Sequence, residues 1–231
     1  MKRFISIILC VSILFLCACS KDTKEENTTE ANVIITTQPE AEPVYIYENA
    51  VEDFLSPVEE FSWEREHKPE FVMVHFISAV TPHPEDPYNM DYIRDIFIDY
   101  DISVHYIIER DGTIHCYIPE NRVAWHAGAG EFNNNPKYTN QMNQYAIGIE
   151  VVAIGSEEDM SIYMDSESYN NIDSSLIGFT EEQYDSLKKL VKDICERNDI
   201  PSDREHIIGH EDYSPDKTDP GTLFDWERII P

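Results

Sequence analysis

The chain has 231 residues, with 45 acidic against 17 basic side chains and a formal charge of −28. That length suffices for one catalytic domain of ordinary size once the ends are discounted. A surface this acidic repels nucleic acid, which excludes a DNA- or RNA-binding role.

Lys2 and Arg3 precede an apolar run from Phe4 to Ala18. This is a charged start and a hydrophobic stretch of signal-peptide length, shorter than the roughly 20 residues a spanning helix needs. The run ends Leu16-Cys17-Ala18-Cys19 and resembles a bacterial lipobox with Cys19 as the lipidated residue. That implies export, removal of residues 1–18 and an acyl anchor holding the protein on the extracytoplasmic face of the cell membrane. A plain secretory signal or an uncleaved anchor is the alternative. Residues 19–60 are expected to form a flexible tether. Their first part is polar and charged with nothing to bury, and Pro39, Pro43 and Pro57 interrupt the rest. The Tyr45–Leu55 portion is more apolar and able to pack on a domain edge.

The compact domain is expected over residues 61–231. Phe71-Val-Met-Val-His-Phe-Ile77 is a continuous apolar run, which predicts a strand buried on both faces with His75 near its C-terminal end. A buried imidazole there is either a hydrogen-bonded core group or a ligand. Ile93, Ile96 and Phe97 at helical spacing predict a helix over 89–100. Two β-rich runs around Asp111-Gly112 predict a hairpin from 102 to 118, with His105 and His115 on its strands. Trp125-His126-Ala127-Gly128 follows as a small-residue loop. Tyr145–Ile154 is a second buried-strand pattern with one charge inside it, Glu150, which needs a nearby cation such as a metal or Lys217. An internal ion pair without chemistry satisfies the same requirement. Residues 156–177 are acidic and aperiodic and predict a long surface loop. Thr180 and Gln183 form a capping-box pattern that opens a helix running to Asn198, with Leu187, Leu190, Val191 and Ile194 inward. Cys116 and Cys195, the two cysteines outside the N-terminal run, make neither a disulfide framework nor a Cys-x-x-Cys pair, so free buried thiols are expected.

The last segment, His206 to Gly221, cannot be helical, because Pro215 and Pro220 fix φ and push the preceding residue to an extended conformation. In an extended chain Lys217 and Asp219 face the same side. A neutral imidazole and a carboxylate are ordinary zinc ligands, and three protein ligands with an open position are the pattern of a catalytic zinc. A surface turn with a capping His210 and a solvated Asp-Lys pair is the plainer alternative.

Five segments in order, Val72–His75, Val104–Thr113, Trp125–Gly128, Ala146–Glu150 and Gly209–Gly221, together resemble the zinc-dependent N-acetylmuramoyl-L-alanine amidases. This type-2 amidase family also contains T7 phage lysozyme and the peptidoglycan recognition proteins. The resemblance covers roughly residues 70–228. It implies an α/β fold with a central mixed β-sheet flanked by helices, in one domain. It also implies zinc held by His75, His210 and Asp219, and hydrolysis of the amide between N-acetylmuramic acid and L-alanine by zinc-activated water. By position, Lys217 is the catalytic lysine and Glu150 the base, because Val104 stands where the phage enzyme has a tyrosine. Trp125 and His126 fall where the family lines its substrate cleft. Phe76 departs from the asparagine of the cytosolic branch, so fine substrate choice does not carry over. The implied partners are peptidoglycan or muropeptides and, through the lipid, the membrane; the chain is expected to act as a monomer. A muropeptide-binding protein without catalysis is the alternative on the same fold, and a zinc peptidase or esterase is a third reading.

Overall fold

The computed structural model describes residues 45–230; the leader, Cys19 and the first part of the expected tether lie outside the described residues. In chain order the elements are β1 (Val51–Glu52), β2 (Ser62–Glu64), β3 (Phe71–Ile77), α1 (Met90–Asp99), β4 (Tyr106–Ile108), β5 (Ile114–Cys116) and β6 (Arg122–Ala124). There follow α2 (Met142–Tyr145), β7 (Ala146–Val152), α3 (Glu157–Met160), α4 (Ser166–Asn170), α5 (Glu181–Asn198) and β8 (Ile207–Gly209).

The apolar run at 71–77 forms β3, every residue of which is buried but the last. It pairs in parallel with β7 over seven residues, which places His75 directly opposite Glu150. β8 pairs in parallel with the other side of β3 and forms one edge. β4 runs parallel to β7, and β5 folds back antiparallel on β4 across the Asp111-Gly112 turn. Gly112 takes φ +85° there, a value that favours glycine, and a Cβ at this position would meet the Glu182 carbonyl at 2.7 Å. The result is a mixed sheet of order β1-β5-β4-β7-β3-β8, with β2 and β6 as a separate ribbon.

Each face of the sheet is closed by one long helix. Leu187, Leu190, Val191 and Ile194 of α5 join Val72, Val74, Tyr106 and Ile149 in the larger core cluster. Ile93 and Phe97 of α1 pack with Ile107, Tyr117 and Val152 on the opposite face. α5 opens as its sequence predicts: Thr180 Oγ1 accepts the Gln183 amide at 3.1 Å, and Gln183 Oε1 accepts the Thr180 amide at 2.9 Å. Cys116 and Cys195 are free and buried.

Two expectations are corrected. Residues 45–60, expected as the end of a tether, belong to the domain, with the apolar Tyr45–Leu55 portion packed on its edge. Val51 and Glu52 add a parallel strand to β5, Tyr47 and Leu55 are buried, and the Tyr47 amide donates to the Tyr106 hydroxyl at 2.9 Å. Burying those two side chains draws the preceding chain onto the sheet, so the fold includes residues 45–60. Nor are residues 156–177 a plain surface loop. They hold α3, α4 and a 3-10 turn at Ser174–Leu176. Each is too short to show a period, and each is started by a local cap from Ser156, Asp165 or Asp173. Met160, Met164, Tyr169 and Leu176 pack from this excursion against Phe76 and Val80.

Candidate functional site

The parallel strands β7, β3 and β8 end on the same side of the sheet, the side on which open α/β sheets bind ligands. His75 lies two residues before the end of β3. The chain leaves β8 at Gly209 and turns at once into a 3-10 turn, His210–Asp212, so His210 sits at the strand's C-terminal end. Asp212 Oδ2 accepts the Gly209 amide at 2.6 Å and fixes that turn. The Glu211 amide donates to the Asp219 carbonyl at 3.0 Å, which folds the irregular proline-flanked segment back against His210.

These constraints bring three side chains together. Nδ1 of His75 is 2.7 Å from Asp219 Oδ2, Nδ1 of His210 is 3.1 Å from the same oxygen, and the two nitrogens are 3.1 Å apart. All three residues are buried, between 2% and 6% exposed. His210 Nε2 lies 3.0 Å from the Ala127 carbonyl, which can only accept, so Nε2 carries a hydrogen and Nδ1 is the nitrogen turned inward. Burial pushes the His75 imidazole down to about 4, against the raising effect of Asp219, so it is neutral near pH 7. Burial pushes the Asp219 carboxyl up, but hydrogen bonds to His210 and His75 outweigh it and hold the group ionised, below the usual carboxylate range. The inward nitrogen of His210 thus faces a buried carboxylate oxygen beside a neutral imidazole. The two imidazole nitrogens and the carboxylate oxygen lie within 4.8 Å of one another, a donor set that fits a divalent cation such as zinc.

Glu150 sits beside this centre on the neighbouring strand. It is 9% exposed, and its Oε2 has no hydrogen-bond partner among the described residues. Burial raises its pKa well above the ordinary value, the Asp219 charge raises it further, and the Lys217 charge opposes both. Lys217 itself is exposed, and its charge is felt at Glu150 and His75.

The resemblance puts His126 where the family lines its substrate cleft. In the structure its nitrogens turn inward: Nδ1 is 3.0 Å from His75 Nε2, and Nε2 is buried without a partner among the described residues. The loop is held by Asn143, whose Oδ1 accepts the amides of His126 and Ala127 at 3.0 and 2.8 Å. His126 therefore orients a candidate ligand. Trp125 is half-buried against Trp63, ring centroids 5.4 Å apart. His105 is internal, accepting the Gly148 amide at Nδ1, 3.0 Å away.

Two contributors were missed from sequence. Gly148, in the middle of β7, leaves the space that the His126 ring fills: a Cβ there would lie 2.6 Å from His126 Cγ. A glycine inside an otherwise buried strand is the signal that could have found it. Asn143 carried no signal, because its partners are brought to it only by the tertiary fold.

A family model described as N-acetylmuramoyl-L-alanine amidase matches residues 65–222. The chain is 37% identical over 147 residues to the 1,6-anhydro-N-acetylmuramyl-L-alanine amidase AmpD of Haemophilus influenzae, covering 63% of this chain and 65% of that one. It is 30% identical over 129 residues to AmpD of Escherichia coli K12, covering 55% and 56%. It thus spans less than two thirds of the length of either relative. Among solved structures, the crystal structure of a Se-Met AmpD derivative matches with TM-score 0.59 and 25% identity over 80% of this chain and 94% of that one.

Proposed function

The chain belongs to the N-acetylmuramoyl-L-alanine amidase family, and from that premise we propose that it hydrolyses the amide joining N-acetylmuramic acid to L-alanine in peptidoglycan or its fragments. The observation that carries the proposal is the convergence of His75, His210 and Asp219, drawn from β3 and from the segment after β8. These three groups would hold a zinc ion, which would supply Lewis-acid polarisation and make water more acidic. The chain's own residues do the rest. Glu150, with an unpartnered oxygen and a raised affinity for protons, takes the proton of the attacking water and returns it to the departing L-alanine amine. Lys217 brings positive charge to the carbonyl oxygen as negative charge develops there. His126 holds the His75 ring through its Nε2, so the ligand nitrogen stays turned to the centre.

The test is a digest of purified muropeptides with and without a chelator, read by mass spectrometry. Release of the L-alanyl peptide that stops on chelation is the expected result. Cleavage elsewhere in the stem peptide would make the protein a peptidase instead, and bound zinc with no cleavage would make it a muropeptide binder.

The proposal extends to location: export and an acyl anchor at Cys19, with the enzyme acting as a monomer at the outer face of the membrane. Its support is Lys2, Arg3, the apolar run Phe4–Ala18 and the Leu16–Cys19 motif. Among the described residues no helix is long and apolar enough to cross a membrane. Metabolic labelling with palmitate, lost in Cys19→Ala, checks it.

A further inference from the structure

The excursion between β7 and α5 reaches the segment around Asp219 through Asp159, and Ser156 Oγ also lies 3.1 Å from the Thr222 hydroxyl. Asp159, in α3, is 3% exposed. Its backbone carbonyl accepts the Thr218 hydroxyl at 2.9 Å. Its Oδ2 accepts the Thr222 amide at 3.1 Å and the Thr222 hydroxyl at 3.2 Å. The same oxygen accepts the Ser156 amide at 2.9 Å and the Ser156 hydroxyl at 2.7 Å, which anchors it to the start of α3. Thr218 and Thr222 bracket Asp219, one residue before it and three after. Gly221 completes the contact: it takes φ +80°, and a Cβ there would lie 2.5 Å from Asp159 Oδ2.

The bracketed segment has no helix or strand of its own between the turn after β8 and Trp226. Its position is therefore set by a few discrete bonds. The Glu211 amide ties the Asp219 carbonyl to the His210 side. The bonds to residue 159 tie both flanks of the ligand to the excursion.

We propose that Asp159 is a positioning residue for the metal centre: by binding Thr218 and Thr222 on either side of Asp219, it holds that carboxylate where His75 and His210 converge. The inference rests on the zinc reading above. A ligand whose flanks are fixed in advance binds metal without first ordering its loop, and partners of this kind are worth about 10–100-fold in metal affinity.

The experiment measures zinc affinity of the full-length chain by competition with a chromogenic chelator, alongside thermal unfolding without metal. Asp159→Asn keeps the shape but replaces a carboxylate oxygen facing four donors, and it should weaken zinc about 10- to 100-fold. Gly221→Ala presses on the same contact from the loop side and should weaken zinc likewise, which keeps the test open should Asp159→Asn fold poorly. Tyr169→Ala is the control. It removes the hydroxyl bond to the Gly155 carbonyl, 3.0 Å long, and loosens the excursion without touching the loop. It should lower Tm and leave zinc affinity unchanged. Wild-type zinc affinity in both Asp159→Asn and Gly221→Ala overturns the proposal, as does a loss in Tyr169→Ala equal to that in Asp159→Asn. A wild-type chain that binds no zinc defeats the metal reading, and this inference with it.

Discussion

Replacing Gly148 by alanine adds one methyl group and tests how the candidate ligand His75 is held. The new Cβ would stand 2.6 Å from His126 Cγ and 2.7 Å from two further ring atoms. To reach ordinary carbon–carbon contact the imidazole has to retreat by roughly 1 Å. Gly148 does not need a left-handed conformation, so the cost lies in the collision. Overpacking of this kind costs about 1–3 kcal/mol. For a domain of this size each kcal/mol lowers Tm by about 2–4 °C. The retreat also breaks the 3.0 Å contact between His126 Nδ1 and His75 Nε2, and with it the hold on the ligand ring. A misplacement of about 1 Å costs on the order of 10²-fold in turnover. Thermal unfolding and muropeptide turnover are to be measured for Gly148→Ala, for His126→Ala and for the double variant. Removing the ring removes the collision, so the two substitutions should couple by about 1–3 kcal/mol in stability. If Gly148→Ala costs as much without the His126 ring as with it, the steric account is refuted.

Further outcomes follow from the same geometry. Glu150→Gln should lower turnover by about 10²- to 10⁴-fold while zinc content, read by atomic absorption, stays at the wild-type level. Lys217→Ala should cost about 10²-fold or more and likewise spare zinc; activity near wild type would remove its role in stabilising the oxyanion. Adding zinc to the stripped protein at about 100 times its dissociation constant should raise stability by about 2.7 kcal/mol, seen as a higher Tm that His210→Ala abolishes. Leu190→Ala, a fully buried α5 position, should cost about 2–5 kcal/mol in denaturant unfolding without changing zinc affinity.

What the sequence made legible was whatever is encoded locally. The run Phe71–Ile77 fits a doubly buried strand, Asp111-Gly112 a tight turn, and Thr180 with Gln183 a helix start; each forms for the reason its residues suggest. His75, His210 and Asp219 were each ambiguous alone and could be named as a candidate set only because five segments occur together in the order of the amidase family. What escaped is set by the third dimension. β1 has two residues and β6 three, too few to show alternation. The bond from His126 to His75 spans 51 positions and exists because the loop after β6 lays the His126 ring against Gly148 of β7, the strand paired with β3. Residues 156–177 read as loop because their helices are single turns begun by serine and aspartate caps, and those same residues are common in loops.

The edge position of β8 has a practical consequence. This strand holds to the sheet through three residue pairs with β3 and has no strand beyond it among the described residues. His210 follows it directly, and Asp219 is tied back to that turn. Loosening that margin would therefore displace His210 and leave Asp219 with only its flanking ties to residue 159, while α5 and the rest of the sheet stayed shut. The candidate centre is expected to loosen before its scaffold, so on warming or mild denaturation zinc binding should fail while most of the protein is still folded.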